Sequence, residues 1–516
     1  MKQRSDSGSL ILEKTAAQVM TYLGRFRLPF CATFVFGLLA YGYAFTNKLV
    51  NHDEVSSLFA KGATVTSGRW GLGALDSIFP NYSMPWIYGI LTVLLIALSV
   101  CLIADMFRLK NRLLQVLLAG SIVVFPSLIG LFGYMFTSTS FALSFLLAVA
   151  SAALVQTQKK CLVIPALGCL ILSLSIYQSY VSVAAGLLVL VLIRQLLTGE
   201  EPATVLRRGC LFVVFLISAL VSYYIGTQII LRLTGNQLNE YASGNMAISF
   251  RSVISGMALA YTNFFRFFTV GFQGLIPTAF GRTLHRILLA SIAGLLIPFL
   301  FRSAKKEPAR AVLLLLLTAI LPLAINCMYM ITTPESIHTL VLYGFVSVYI
   351  LAVLLTDVLV SEENRALITE CIANVLTLVM ALTIIVNTYV ANQAYLHLHL
   401  RYENANAFYT SLIADIKMTP GFDENTRLAV IGSYQQPEYY TLQFEPIHSI
   451  TGVYGFVPDN YSNNYFMEYY IGFPIPFASE EEIRQIRSTP EFEAMAVYPY
   501  YGSLQKIGDV LVVKLS

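Results

Sequence analysis

Residues 28–55 read LPFCATFVFGLLAYGYAFTNKLVNHDEV. Residues 28–46 carry no charge and are long enough to cross a bilayer, which takes about 20 apolar residues per helix. The run ends in Asn51-His52-Asp53-Glu54-Val55. Two adjacent carboxylates thus stand at the mouth of an apolar segment, in a chain that otherwise keeps charge out of such segments. Downstream lie Gly68-Arg69-Trp70-Gly71 and then Asp76. An acidic pair after a span has a bland reading, in which the charges stop the helix and sit in water. It also has a functional one, in which one carboxylate is a catalytic base.

Composition names the solvent. The chain has 516 residues, 56% hydrophobic and 12% charged, against about 25% charged in a soluble domain. From Arg401 to the end there are 14 acidic and 7 basic residues. The net charge of +4 therefore divides into a basic membrane part and an acidic tail, which excludes nucleic acid as a partner. The first apolar run is long and lacks a small-residue cleavage site, so it reads as a retained signal anchor. The seven cysteines lie in or beside apolar segments with no metal or disulfide spacing.

Eleven apolar segments are expected to span: about 28–46, 85–106, 112–131, 139–156, 161–177, 180–197, 209–231, 285–301, 311–331, 338–357 and 371–391. The fifth and sixth are separated only by Tyr177-Gln178-Ser179-Tyr180, a tight hairpin or a re-entrant turn. The fold class is an all-α polytopic membrane protein of about 11 helices over residues 1–391. A small C-terminal α/β domain over 392–516 follows, with a helix at Tyr402–Lys417, strands at Arg427–Gly432 and Asp509–Leu515, and a short helix at Ser479–Arg487. Ser479 and Glu482 have capping-box spacing.

Basic loops (Arg108, Lys110 and Arg112; Lys159 and Lys160; Arg207 and Arg208; Arg302, Lys305, Lys306 and Arg310) belong with the N-terminus on the cytoplasmic face. The acidic loop with Asp357, Glu362, Glu363 and Arg365 votes against that pattern. An odd number of spans places the tail outside. The outer face then carries the first loop, about 47–84, and the longest, about 232–284, with Arg232, Glu240, Arg251, Arg266 and Arg282. Within the latter, Ser252–Phe268 has helical apolar spacing and suits an interfacial helix. All six histidines (His52, His285, His338, His397, His399 and His448) and Trp70 and Trp86 fall on that face or its boundary.

No Gly-rich phosphate loop is present, and nucleotide sugars are unavailable outside. A transferase working there needs a donor delivered by the membrane, and a lipid-phosphate sugar is such a donor. The reaction needs a carboxylate to take the proton of an acceptor hydroxyl and cations to stabilise the leaving phosphate. Asp53 and Glu54 are the candidate bases, with Asp53 ranked first. Arg69, Arg251, Arg266 and Arg282 are candidate phosphate ligands, because a guanidinium fork matches phosphate oxygens. Trp70 is grouped with them, and Asp76 is a second acid or a turn residue. Tyr177 and Gln178 would hydrogen-bond a sugar or satisfy backbone at a hairpin. His397 and His399 have the spacing of a metal pair, but no acidic or cysteine cluster completes a site, so no metal and no cofactor, a divalent cation included, is indicated. The 14 tyrosines from Tyr395 to Tyr501 could stack on sugars or serve as core.

The acidic pair after the first span, the Gly-Arg-Trp about 15 residues later and the Ser-Ile-Tyr-Gln between two central spans resemble the glucosyltransferase-II family. These are serotype-converting, polyprenyl-phosphate-glucose-dependent transferases of bacteria and their phages. The resemblance covers residues 30–200 by motif and the rest by topology. It implies a GT-C-like fold whose catalytic acid, here Asp53 or Glu54, lies in the first outer loop. It also implies a glucosyl donor on a polyprenyl phosphate, an O-antigen (lipopolysaccharide) or wall-polysaccharide acceptor, and residence in the bacterial cytoplasmic (inner) membrane. A flippase and a donor synthase would be its partners, beside the membrane lipids. One departure is notable: relatives carry an Asp just before the fourth span, where this chain reads Tyr134-Met-Phe-Thr137-Ser138.

Two other classes compete. A lipid-linked sugar transporter (flippase) would place ionisable groups mid-span and show a repeat. Here Asp105 and Arg194 lie only near span ends, and no repeat is evident. A polysaccharide polymerase or ligase would use outer-loop arginines without needing the early acidic pair.

Overall fold

The computed structural model describes residues 11–58, 64–78, 82–239, 250–362, 366–423, 425–434, 447, 449–453 and 462–516. Glu240, Glu363, Arg365 and His448 lie outside them, as does the side chain of Arg251.

Among the described residues nine helices are long and apolar enough to cross a membrane. They are α2 (Arg27–Thr46), which follows the short α1 (Ile11–Arg25), then α4 (Pro85–Met106), α7 (Met135–Val155) and α9 (Val181–Leu197, preceded by a tight turn from Gln178). α10 (Pro202–Thr234), α12 (Ala279–Lys306), α13 (Pro308–Ile325), α14 (Val346–Val360, entered from a 3-10 turn at Thr339) and α15 (Leu367–Met418) complete the set. The expected third span is a broken pair, α5 (Arg112–Val123) and α6 (Ser127–Gly133), bent by 51°. Pro126 lies in the break and offers no N–H to continue the ladder. The expected fifth is α8 (Lys160–Ile176), apolar but only 17 residues long. All eleven apolar segments are thus helical, nine of them (ten with the bent pair) long enough to span among the described residues, and the chain is a multi-pass, predominantly helical membrane protein. The short α3 (Trp70–Leu75) and α11 (Phe250–Thr269) lie between spans.

With lipid as solvent, apolarity does not sort inside from outside. Size and shape do. The segment Thr339–Val360 has its whole apolar window buried and forms the centre of the bundle. α10 is peripheral: Val213, Val214, Ile217, Val221, Ile225 and Ile229 repeat down one exposed face at helical spacing. α4 packs between α2 and α7, α7 on α8, α13 on α9, and α12 on α15. α11 docks its apolar face on the bundle: Phe264, Phe267 and Phe268 pack on Phe345, and Asn326 donates to the Ala260 carbonyl at 3.0 Å.

The acidic loop after α14 lies at the same end of the bundle as the basic loops. Asp357 is 3.6 Å from Arg194, Glu362 is 2.7 Å from Arg302, and Arg310 donates to the Leu196 carbonyl at 2.9 Å. The loop whose sequence opposed the charge pattern therefore supplies counter-ions to it.

The helix expected at Tyr402–Lys417 is not separate. It is the far part of α15, a single 52-residue helix. At 1.5 Å per residue α15 is about 78 Å long, far beyond the roughly 30 Å of a hydrocarbon core. Residues 392–401 change in polarity but contain no Gly or Pro, so the backbone does not break where the composition does. The tail adds β1 (Arg427–Ile431), β2 (Leu504–Ile507) and β3 (Val510–Lys514) in the order β1-β3-β2. β1 and β3 are parallel; β2 is antiparallel to β3 and was not expected from its short, polar sequence. Helix α16 (Glu480–Arg487) has the expected Ser479–Glu482 capping box. Alternation divides the sheet: Leu428, Val430, Leu511 and Val513 face α15, and Ala429, Ile431, Val510 and Val512 face Ile486 and Phe492.

Candidate active site

The acidic loop begins with an asparagine that organises it. Asn51 Oδ1 accepts from the backbone N–H groups of Asp53 and Glu54, each at 2.9 Å, a local turn that asparagine favours. The Asn51 amide donates to the Gly133 carbonyl, which pins the turn to the junction of α6 and α7. Val50 and Val55 flank the turn, and both are buried in the tail core with Ala405, Tyr409, Phe466 and Met467.

This turn sends the two acids apart. Glu54 is wholly buried; its Oε1 lies 2.9 Å from Lys48 Nζ and accepts from the Ser83 hydroxyl. Burial pushes its carboxyl above the ordinary carboxylate range, while Lys48 pulls against that shift. Its Oε2 is shielded and unpartnered. Asp53 is exposed. Its charge acts on the nearby Tyr134 phenol. Burial, together with Asp53, raises the Tyr134 phenol above its usual range, and the Arg69 guanidinium opposes this.

Arg69, just before α3, is held over two aromatic faces, 5.3 Å from the Tyr177 ring centroid and 5.9 Å from that of Phe141. Its neighbours lock it. The Trp70 indole donates to Thr227 at 3.2 Å, and the Tyr223 hydroxyl donates to the Gly68 carbonyl at 2.9 Å. The Gln178 amide donates to Tyr223 at 2.8 Å. Gly71 packs so closely on Ser175 that a Cβ would overlap its hydroxyl. The short helix therefore needs glycine at that contact.

Beside Arg69 is a cavity of about 470 Å³. Arg69, Tyr177, Gln178, Tyr223, Ser336 and His338 are among its polar lining. Leu174, Leu220, Val221, Met328 and Ile331 are among its apolar lining. Val221 and Tyr224 line it and are each 51% exposed on the outer face of α10, so the cavity reaches the apolar surface of the bundle. Among the described residues, Arg69 Nε and His338 Nδ1 are shielded polar atoms at this cavity without a hydrogen-bond partner. Burial and the adjacent Arg69 hold the His338 imidazole down at about 4, so the ring is neutral.

The structure thus brings Asp53, Arg69, Tyr177 and Gln178 into one neighbourhood and joins Trp70 to it as a brace. Asp76 is buried at the end of α3, near Tyr88. Arg266 is exposed and sits 5.9 Å from the Phe272 ring. Arg282 donates to the carbonyls of Ile276 and Pro277, at 3.3 and 2.7 Å. Neither lines the cavity. His397 and His399 diverge, His397 toward the Val453 carbonyl at 3.1 Å and His399 toward the Tyr43 ring. Lys48, Ser83, Tyr134, Tyr470 and His338 were not singled out as site residues. They lie at five well-separated places in the chain, and only the clustering of all histidines on one side hinted at His338.

A carboxylate accessible to solvent, a cation over aromatic faces, and a cavity with both polar and apolar lining can position a hydroxyl nucleophile against an amphipathic anionic donor. No curated protein and no solved structure matches the chain. A family model described as glucosyl transferase GtrII matches residues 42–351. That range takes in the first loop, the Arg69 segment, Tyr177, Gln178 and His338, and it extends the motif resemblance through the central helix. The chain belongs to the GtrII glucosyl transferase family.

Proposed function

We propose that the protein transfers a sugar, glucose by family, from a polyprenyl-phosphate donor to a cell-surface polysaccharide such as lipid-linked O-antigen. The observation that carries this reading is the cavity: Arg69 lines it together with Val221 and Tyr224, which are exposed on the lipid-facing side of α10. A soluble sugar nucleotide has no use for such an exit, whereas a lipid-linked sugar needs one. Asp53 takes the proton of the acceptor hydroxyl as its oxygen bonds to the anomeric carbon. The bond from that carbon to the phosphate oxygen breaks, and polyprenyl phosphate leaves with the electron pair beside Arg69. Gln178 and Tyr177 contact the sugar, and no cofactor is required.

The chain resides in the bacterial cytoplasmic membrane with the N-terminus and the basic end of the bundle inside. The pairing of Asp357 and Glu362 with Arg194 and Arg302 supports this sidedness. Residues 392–516 form the extracytoplasmic domain against which the acidic loop is packed.

Membranes containing the wild-type chain or Asp53→Asn, supplied with radiolabelled polyprenyl-phosphate glucose and host surface glycan, test the proposal. Labelling by the wild type and its loss in Asp53→Asn is the expected result. Full labelling by Asp53→Asn would remove Asp53 from the mechanism, and no labelling by the wild type would overturn the donor.

A further inference from the structure

Among the described residues, Arg69 Nε and His338 Nδ1 are shielded polar atoms without a hydrogen-bond partner at one cavity. A guanidinium and an imidazole facing the same space attract an anion, and leaving both unpaired in a buried place is costly unless a ligand completes them. The two come from distant parts of the chain. Arg69 is set by α3, and His338 stands at the entry to the central buried segment Thr339–Val360. His338 is held from behind. Its carbonyl accepts from the Val341 N–H at 2.9 Å, and the preceding Ile337 carbonyl accepts from the Gln273 amide at 2.8 Å. The Thr339 hydroxyl accepts from the Thr451 N–H of the tail at 3.1 Å. This is a fixed position for a side chain whose shielded Nδ1 has no hydrogen-bond partner among the described residues.

We infer that His338 binds the phosphate of the lipid ligand together with Arg69, the Nδ1–H group donating to a phosphate oxygen while Arg69 supplies the charge. The inference rests on the lipid-phosphate reading above and assigns the headgroup contact that completes it. A neutral imidazole suits the role, because it adds a directed hydrogen bond without a second buried positive charge beside the guanidinium. As the sugar departs, the phosphate gains negative charge, so the contact strengthens along the reaction and holds the product more firmly than the donor.

The test compares retention of a long-chain polyprenyl phosphate and of the matching polyprenol by purified protein in lipid nanodiscs, for the wild type, His338→Phe, His338→Asn and His338→Gln. Each variant is checked for an unchanged melting temperature, and sugar transfer is assayed in parallel. The wild type should prefer the phosphate. His338→Phe should lose at least about tenfold of that preference, as expected for a hydrogen bond to a charged group. His338→Asn, whose amide reaches the place of Nδ1, should keep most of it, and His338→Gln should not. Preference unchanged in His338→Phe, or lost equally in all three variants, overturns the inference. Transfer by the wild type with phosphate preference indifferent to His338 would leave the reaction standing and the inference refuted. Phosphate preference that depends on His338 without any transfer would do the reverse. Absence of phosphate preference in the wild type refutes both.

Discussion

Lys48 Nζ lies 2.9 Å from Glu54 Oε1, and this ion pair separates two acids that the sequence leaves adjacent. Glu54 turns inward to Lys48 and Ser83, while Asp53 stays exposed to solvent. The two substitutions therefore have different consequences. Asp53→Asn should lower sugar transfer by about 10²–10⁴-fold, the usual worth of a general base, with no fall in melting temperature. Lys48→Met should lower the melting temperature, since it strands a buried carboxylate, at a cost of about 3–5 kcal/mol. Parallel transfer assays and thermal unfolding in detergent separate the two effects.

The pH dependence of stability should have two limbs. Burial raises Glu54 above its ordinary value of 4.5, so its contribution is full below 4.5 and is lost as pH rises through the raised value. His338 is lowered from 6.5 to about 4, so its contribution is full above 6.5 and is lost as pH falls toward 4. Melting temperatures measured across pH should show the alkaline limb flattened in Glu54→Gln and the acid limb flattened in His338→Asn. An unchanged profile in either variant would count against that residue's burial.

Gly71→Val should displace α3, because any Cβ there meets Ser175. Overpacking of this kind costs about 1–3 kcal/mol. The displacement moves Arg69 off the Tyr177 ring, so transfer should fall much further than stability. A Ser175→Gly change in the Gly71→Ala background should restore activity in part, and transfer rates of the single and double variants check the coupling.

Val55→Asp should uncouple the acidic loop from the tail. Val55 is fully buried with residues of α15 and the segment Phe466–Tyr470. An unpaired charge there costs about 4 kcal/mol or more. Limited proteolysis should cut the first loop and the tail faster in this variant while cleavage between α9 and α10 is unchanged. Tyr470→Phe, which keeps the ring near Lys48 (6.0 Å) and removes an unpartnered hydroxyl, should leave proteolysis as in the wild type.

Much of this molecule is legible in one dimension. Each apolar run became a helix because a backbone in lipid must satisfy its own hydrogen bonds, and length and hydropathy suffice to say where. The capping box at Ser479–Glu482 and the strands at 427–431 and 510–514 follow from equally local rules. Boundaries were less legible. The composition shift at Asn392 marked a change of surroundings, not of backbone, so α15 ran through it.

The sequence by itself determined that this is a multi-pass helical membrane protein with an acidic turn after its first span, and it ranked Asp53, Arg69, Tyr177 and Gln178 among the residues of interest. Only the tertiary structure decided which of two adjacent carboxylates faces solvent. That choice is made by Asn51 bonding to Gly133, by Lys48 and Ser83 reaching Glu54, and by Val50 and Val55 entering the core of the tail. It likewise decided that Arg282 serves backbone carbonyls and that His338 stands beside Arg69. Periodicity and spacing record the solvent a segment meets. They do not record which distant residues it meets, because those contacts are set by how the helices pack.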